Sequence, residues 1–220
     1  MKKTANTIGE TTYSQIKSDI IFGVLAPGSK LKLEALKTHY TASNSTLRET
    51  LNRLASDGFV LAEEQRGFFV KPVSQEDLIE ISQLRILLEA HALRQSIKHG
   101  DTNWEGNLVA AHHKLHSVEK RMLSGDMSDK KLWKQYDWEF HLALIQACDG
   151  PNLLQLHGKL FDQYLRYQML VLTNRGQVAV DEHKQMLQAA LDRDTDRSIQ
   201  LLEQHVLGGL EHTIREFPVI

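Results

Sequence analysis

Apolar positions keep two different rhythms along this chain, and the change falls near residue 72. Before it, short patterns follow one another quickly. Tyr13, Ile16, Ile20 and Ile21 have helical spacing, and the pattern stops at Gly23. Ala26-Pro27-Gly28-Ser29 is a turn signal. Leu33 and Leu36 give a second, short helix, which Thr41-Ala42-Ser43 interrupts. Ser43 is a good N-cap for a third helix carrying Leu47, Leu51 and Leu54, which ends at Asp57-Gly58. Two β-rich runs, Phe59 to Ala62 and Phe68 to Val70, are joined by residues 63–67 and read as a hairpin. Three helices and a hairpin predict a winged helix-turn-helix over residues 1–72.

Lys71-Pro72-Val73 reads as a linker, because proline can continue neither a ladder nor a helix interior. Ser74 with Asp77 three residues on resembles a capping box. From there only helical periodicity is found. It predicts six helices near 75–99, 103–124, 128–148, 151–173, 178–193 and 195–216, with Gly100, Gly125, Gly150-Pro151 and Gly176 at most of the breaks. The expected fold is therefore mostly α: a winged helix-turn-helix, then an all-α six-helix bundle over residues 73–220.

Composition adds little to this picture. Hydrophobic residues make up 41% and charged residues 25% of the 220, as in ordinary globular proteins. No apolar run reaches the roughly 18 residues that span a membrane. The basic start has no apolar stretch behind it, so it is not read as a signal peptide. The single cysteine, Cys148, fits a reducing cytoplasm. Charge is more informative in its distribution. Residues 1–72 hold 10 Lys/Arg against 7 Asp/Glu, whereas the remainder holds 16 against 21. A mildly basic module joined to an acidic one is compatible with nucleic-acid binding.

The third helix has the polarity of a DNA reader. Its inner face is Leu47, Leu51 and Leu54, which leaves Ser43, Asn44, Ser45, Thr46, Arg48 and Asn52 for the outside. Asn pairs bidentately with adenine and Arg with guanine in the major groove. Arg66, at the tip of the hairpin, can reach a minor groove or a phosphate.

In the bundle, the informative residues are polar ones on apolar faces. Asp137 and His141, at i and i+4, project into the stripe of Phe140, Leu144 and Cys148. His183 shares a face with Leu187, Ala190 and Leu191, and His205 lies at the edge of one set by Ile199, Leu202, Val206 and Leu210. One Asp and three His have the right composition for a divalent ion, with Zn²⁺ and Ni²⁺ the first choices; an internal ion pair is the alternative. His112 and His116 fall toward the rim and read as surface residues. Arg85 interrupts the stripe of Leu78, Ile81, Leu88 and Ala92. It either pairs with Glu89 one turn on or receives an anion.

Beyond these patterns, the stretch from Tyr13 to Pro72 resembles the GntR family of bacterial regulators. The motifs that carry the likeness are Pro27-Gly28-Ser29-Lys30-Leu31 and Ser43 to Leu51 with Arg48, Glu49 and Leu51. Arg53-Leu54, Asp57-Gly58 and Gly67 complete it. Asn44 departs from the family's base-contacting Arg and Thr41 from its turn glycine. Residues 76–216 are similar to the FCD ligand-binding domain of the FadR subfamily, VanR-type branch. The family's metal motif is matched by Asp137-Trp138-Glu139-Phe140-His141, by Glu182-His183 and by His205. The resemblance implies that these four hold the ion. It also implies that Arg85, in Arg85-Ile86-Leu87-Leu88-Glu89, lines an effector pocket that Tyr164, Arg166 and Tyr167 could complete.

The expected function is a cytoplasmic, homodimeric regulator. It binds palindromic operator DNA and acts as a repressor released by a small carboxylate metabolite. The likeness to repressors of glutarate and 4-aminobutyrate breakdown makes a dicarboxylate such as glutarate the first ligand to try. Two rivals stand beside this reading: a metal-dependent hydrolase, for which no general base is evident, and a constitutive operator binder with a structural metal.

Overall fold

The computed structural model describes residues 7–126, 128–171 and 175–216. They form two compact units. The first comprises 7–77 with 162–171, the second 78–161 with 175–216.

In the first unit, helix α1 (Ile8–Ile21) opens on a capping box: Glu10 N–H donates to Thr7 Oγ1 and Thr7 N–H to Glu10 Oε2, both at 3.2 Å. It starts one turn earlier than its apolar pattern, because the cap carries that turn. Helix α2 (Leu33–Tyr40) stops at Thr41, which sits in the left-handed region with φ 51° and ψ 45°. Helix α3 (Asn44–Ser56) begins at Ser43, whose Oγ accepts from Thr46 N–H at 3.1 Å. It buries Leu47, Leu51 and Leu54 completely against Ile16, Ile20 and Phe59.

The hairpin is β2 (Val60–Glu63) and β3 (Gly67–Val70), antiparallel with Val60 opposite Val70. A further strand, β1 (Lys30–Leu31), pairs with β3 to give the order β1-β3-β2. Two residues are too few to show a period, so the sequence does not announce β1.

The unit also draws in the distal half of a later helix, which the expected boundary at residue 72 leaves out. Met169 is buried in its apolar core. Arg166 donates to the carbonyls of Lys71 and Pro72 at 3.0 and 3.1 Å. Tyr167 OH donates to Asp77 at 2.6 Å, and Lys71 pairs with the same carboxylate at 2.6 Å.

Among its described residues the second unit has helices and no strand. Its elements are α4 (Gln75–His99), α5 (Thr102–Leu123), α6 (Lys130–Ile145), α7 (Pro151–Val171), α8 (Gln177–Leu191) and α9 (Thr195–Glu216). The first turn of α4 and the distal half of α7 count with the first unit. A single 3₁₀ turn, Gln146–Cys148, closes α6 before Asp149 turns left-handed and Pro151 starts α7. Phe140, Leu144, Leu108, Leu115, Met186, Leu202 and Val206 form the centre of the core. At Gly100 the chain turns so tightly that a Cβ would lie 2.3 Å from the Trp104 ring and 2.7 Å from the Ser96 carbonyl, so only glycine fits. No helix among the described residues is long and apolar enough to cross a membrane.

Candidate metal centre and nucleic-acid interface

Helix α3 keeps its leucines inside and its polar residues in water. Ser43, Asn44, Ser45, Arg48 and Asn52 are exposed and Thr46 is half-exposed. The first turn carries no acidic residue, unlike those of α1, α2 and α4. The positive end of the α3 dipole is therefore not neutralised by its own side chains, which suits a phosphate. Ser43 has a second task, since its hydroxyl closes the helix and also lies 2.8 Å from Ser45 Oγ. Arg66 is exposed at the hairpin tip, pairs with Glu63 and covers the Phe69 ring at 5.5 Å. Lys30, on the strand missed from sequence, covers the same ring at 5.5 Å and adds a second cation to the wing.

In the second unit, Asp137, His141, His183 and His205 come together. Each offers one ligand atom, and all four atoms lie within 4.8 Å of one another. The first three are buried and His205 is nearly so. Helical spacing explains the set. Residues 137 and 141 stack on one face of α6, while α8 and α9 each present one imidazole, their rings 4.6 Å apart.

The hydrogen bonds around these rings all run the same way. His141 Nδ1 lies 3.1 Å from Glu89, His183 Nδ1 2.7 Å from Glu119, and His205 Nδ1 2.8 Å from Glu182. A carboxylate behind Nδ1 holds the proton there, which leaves Nε2 as the inward lone pair. His183 Nε2 is buried and makes no hydrogen bond among the described residues, with Asp137 Oδ1 3.5 Å away. A buried ring nitrogen left bare among three other donors fits a cation. Three imidazoles and a carboxylate are the donor set of a borderline ion such as Zn²⁺ or Ni²⁺.

Electrostatics favours the same occupant. Burial lowers the pKa of His141 and, with His183 nearby, takes that of His205 down to about 3, so both rings are neutral donors at neutral pH. Burial opposes the charge on Asp137, but Lys134 and the imidazoles outweigh it and hold the carboxyl well below its usual range. Burial opposes Glu182 too, and His205 and Arg175 overcome it, taking the group to about 2. Among the described residues of this unit the fully buried acidic and basic side chains are Glu89, Glu119 and Asp137 against Arg85 and Lys134. Three carboxylates facing two cations leave an excess negative charge in a low-dielectric interior, which a dication would more than cancel.

Comparison with known proteins agrees with the fold. Residues 8–70 match the model of the bacterial regulatory proteins of the gntR family, and residues 80–208 match that of the FCD domain. The chain belongs to the GntR family of bacterial regulators. It is 35% identical to the "Uncharacterized HTH-type transcriptional regulator BphR" of Paraburkholderia xenovorans (strain LB400), over 96% of this chain and 86% of that protein. It is 32% identical to the "HTH-type transcriptional repressor GlaR" of Escherichia coli (strain K12), over 89% and 90%. The solved structure of E. coli McbR/YncC superposes with a TM-score of 0.80 at 18% identity, covering 97% of this chain and all of that one, which speaks for the fold. As a GntR-family protein with an FCD domain, this chain is a DNA-binding transcriptional regulator and not an enzyme. The family reads operator DNA, and its FCD domains take small-molecule effectors.

The residues expected to line an effector pocket are divided between the two units. Arg85 is buried in the second unit, where Nε donates to Glu89 at 2.7 Å and the guanidinium covers Phe161 at 4.5 Å. The internal salt bridge anticipated for it is therefore formed. Tyr164, Arg166 and Tyr167 fall in the first unit, and the polar groups of the last two serve the linker. Of the pair read as surface, His116 is exposed, but His112 is half-buried against Phe140, and its Nε2 has no hydrogen bond.

Three residues of the centre's surroundings are absent from the sequence patterns above. Glu119 sits in the buried α5 stripe of Leu115, Val118 and Met122, and Lys134 one turn before Asp137. His157 reaches Glu89 at 2.9 Å and stacks on Trp138 at 5.2 Å. The rule that singled out Asp137, a charge on an apolar stripe, also finds Glu119 and Lys134.

Proposed function

We propose that this regulator is a repressor that binds a palindromic operator as a homodimer and lets go when a small carboxylate occupies a Zn²⁺ or Ni²⁺ centre in its helical domain. Asp137, His141, His183 and His205 are the ligands. The observation that carries the reading is the convergence of four donors whose histidine rings all have Nδ1 tied outward to glutamates. Such a centre leaves coordination positions for an oxygen donor from a ligand. With the ion in place the buried charges sum to a positive excess, so an anion is the favoured guest. Arg85 is the side chain proposed to meet its carboxylate bidentately. A dicarboxylate such as glutarate is the first candidate. Repression is preferred because a relative 32% identical bears the name of a repressor.

On the DNA side, Asn44, Ser45, Arg48 and Asn52 read base edges from α3. Ser43 and Thr46 hold the phosphate at its N-terminus, and Arg66 works from the wing. A module of residues 1–72 per half-site, two half-sites about one helical turn apart, and a cytoplasmic location complete the proposal.

Native mass spectrometry of the purified protein, paired with a gel-shift titration on its own promoter, tests this. The expected result is a dimer with one divalent ion per protomer, released from DNA by millimolar glutarate or a near homologue. Operator binding that no mono- or dicarboxylate alters would refute the effector claim, and a metal-free protein that still responds would refute the centre's part in it.

A further inference from the structure

The three glutamates behind the imidazoles differ in what else they hold. Glu89 divides its two oxygens among Arg85, His141 and His157. Glu182 is bracketed by both terminal nitrogens of Arg175, at 2.7 and 2.6 Å, as well as by His205. Among the described residues Glu119 meets His183 alone through Oε1 at 2.7 Å, and its Oε2 is buried with no hydrogen-bond partner. A carboxylate that only stabilised the bundle would satisfy both oxygens, because an uncompensated buried charge is costly. Here the cost falls on the residue behind the ring whose other nitrogen is also bare.

We propose that Glu119 is a positioning residue of the metal centre. By accepting the Nδ1 proton of His183 it fixes that ring in one tautomer, with Nε2 as a bare lone pair facing the other three donors. With no Lys or Arg paired to it among the described residues, its carboxylate makes His183 the strongest nitrogen donor of the set. The inference rests on the metal reading above. The competing account is a plain ion pair, in which His183 is an imidazolium clamped between Glu119 and Asp137; its Nε2–H would then point at Asp137 Oδ1, 3.5 Å away.

Two measurements separate these accounts. In the metal-free wild-type protein, imidazole nitrogen shifts from long-range ¹H–¹⁵N spectra report where the protons sit. The expected pattern for His183 is a protonated Nδ1 and a bare Nε2; both nitrogens protonated at neutral pH would overturn the proposal. Competition with a chromophoric chelator for Zn²⁺, and the visible spectrum with Co²⁺, read the centre itself. Glu119→Gln should raise the metal dissociation constant ten- to a hundredfold and shift the Co²⁺ bands, while the metal-free melting temperature stays level or rises. Glu119→Asp should recover part of the loss. Glu105→Gln, which removes only the pair with Arg193, should leave the constant unchanged. A Glu119→Gln protein that binds within twofold of wild type, or weakens only as far as its metal-free form melts earlier, would overturn the proposal alone. A wild type that binds no ion would overturn the metal reading and this one with it.

Discussion

In helix α3 the side chains proposed to meet DNA stand in water, whereas those proposed to hold an ion on α6, α8 and α9 lie out of it. Each region has an apolar framework, but the working groups are placed on opposite sides of it. On α3, Arg48 and Asn52 can change without disturbing Leu47, Leu51 or Leu54, because the two sets occupy different faces. In the helical domain the working groups are themselves part of the interior. His183 touches Phe140 at 5.4 Å between ring centres, and removing it opens a hole as well as a coordination site. Recognition on the surface is therefore separable from stability, and recognition in the interior is not.

The strongest way to break this comparison is His183→Ala. Loss of a ligand should abolish tight metal binding, exceeding the ten- to hundredfold expected from an outer partner, and should lower the melting temperature of the metal-free protein too. Metal content by mass spectrometry and a thermal scan check both halves; an unaltered melting curve would show that the interior site is as separable as the surface one.

Arg48→Ala is the matched change outside. It should weaken operator binding by about 1–3 kcal/mol, roughly ten- to a hundredfold, with melting temperature and metal content unchanged. A fluorescence-anisotropy titration at fixed salt reads the first, and a drop in stability would show that α3 does not separate the two roles.

A smaller effect sharpens the winged module's own economy. Thr41 holds φ 51°, a conformation that costs a side-chain-bearing residue roughly 1–2 kcal/mol. Thr41→Gly should return about 1 kcal/mol, part of the relief being lost to the freer unfolded chain, and raise the melting temperature by a few degrees.

Another effect is expected on acid stability. Burial and the neighbouring His183 hold His112 down to about 4 against an ordinary 6.5. A depressed histidine contributes stability that is complete above its ordinary value and is lost as pH falls toward its folded one. Metal-free protein should thus melt progressively earlier from pH 6.5 to 4, and His112→Gln should flatten part of that slope.

How much of this could be read from the chain depends on what each feature is made of. Helices α4 to α9 were legible because four or more apolar turns recur in each. The four converging residues were legible as charges and rings on stripes where leucine belongs. β1 was not, since two residues have no period. Nor was the division of α7, whose distal residues Arg166, Tyr167 and Met169 serve the first unit. A helix's periodicity says which side is apolar but not which neighbour covers it. Glu119 was readable by the rule applied to Asp137, yet its partner, 64 residues away, was not.

Of the four proposed ligands His205 is the nearest to solvent, with a side-chain exposure of 12% against 1% for His141 and His183 and 7% for Asp137. A coordination shell with one peripheral arm loosens from that arm. Exchange of the ion should then follow the unlatching of α9 at this residue, with Arg175 acting as a brake, since it braces Glu182 and the His205 carbonyl together. The lifetime of the loaded state would be set by a single imidazole at the rim, however deep the other three donors lie.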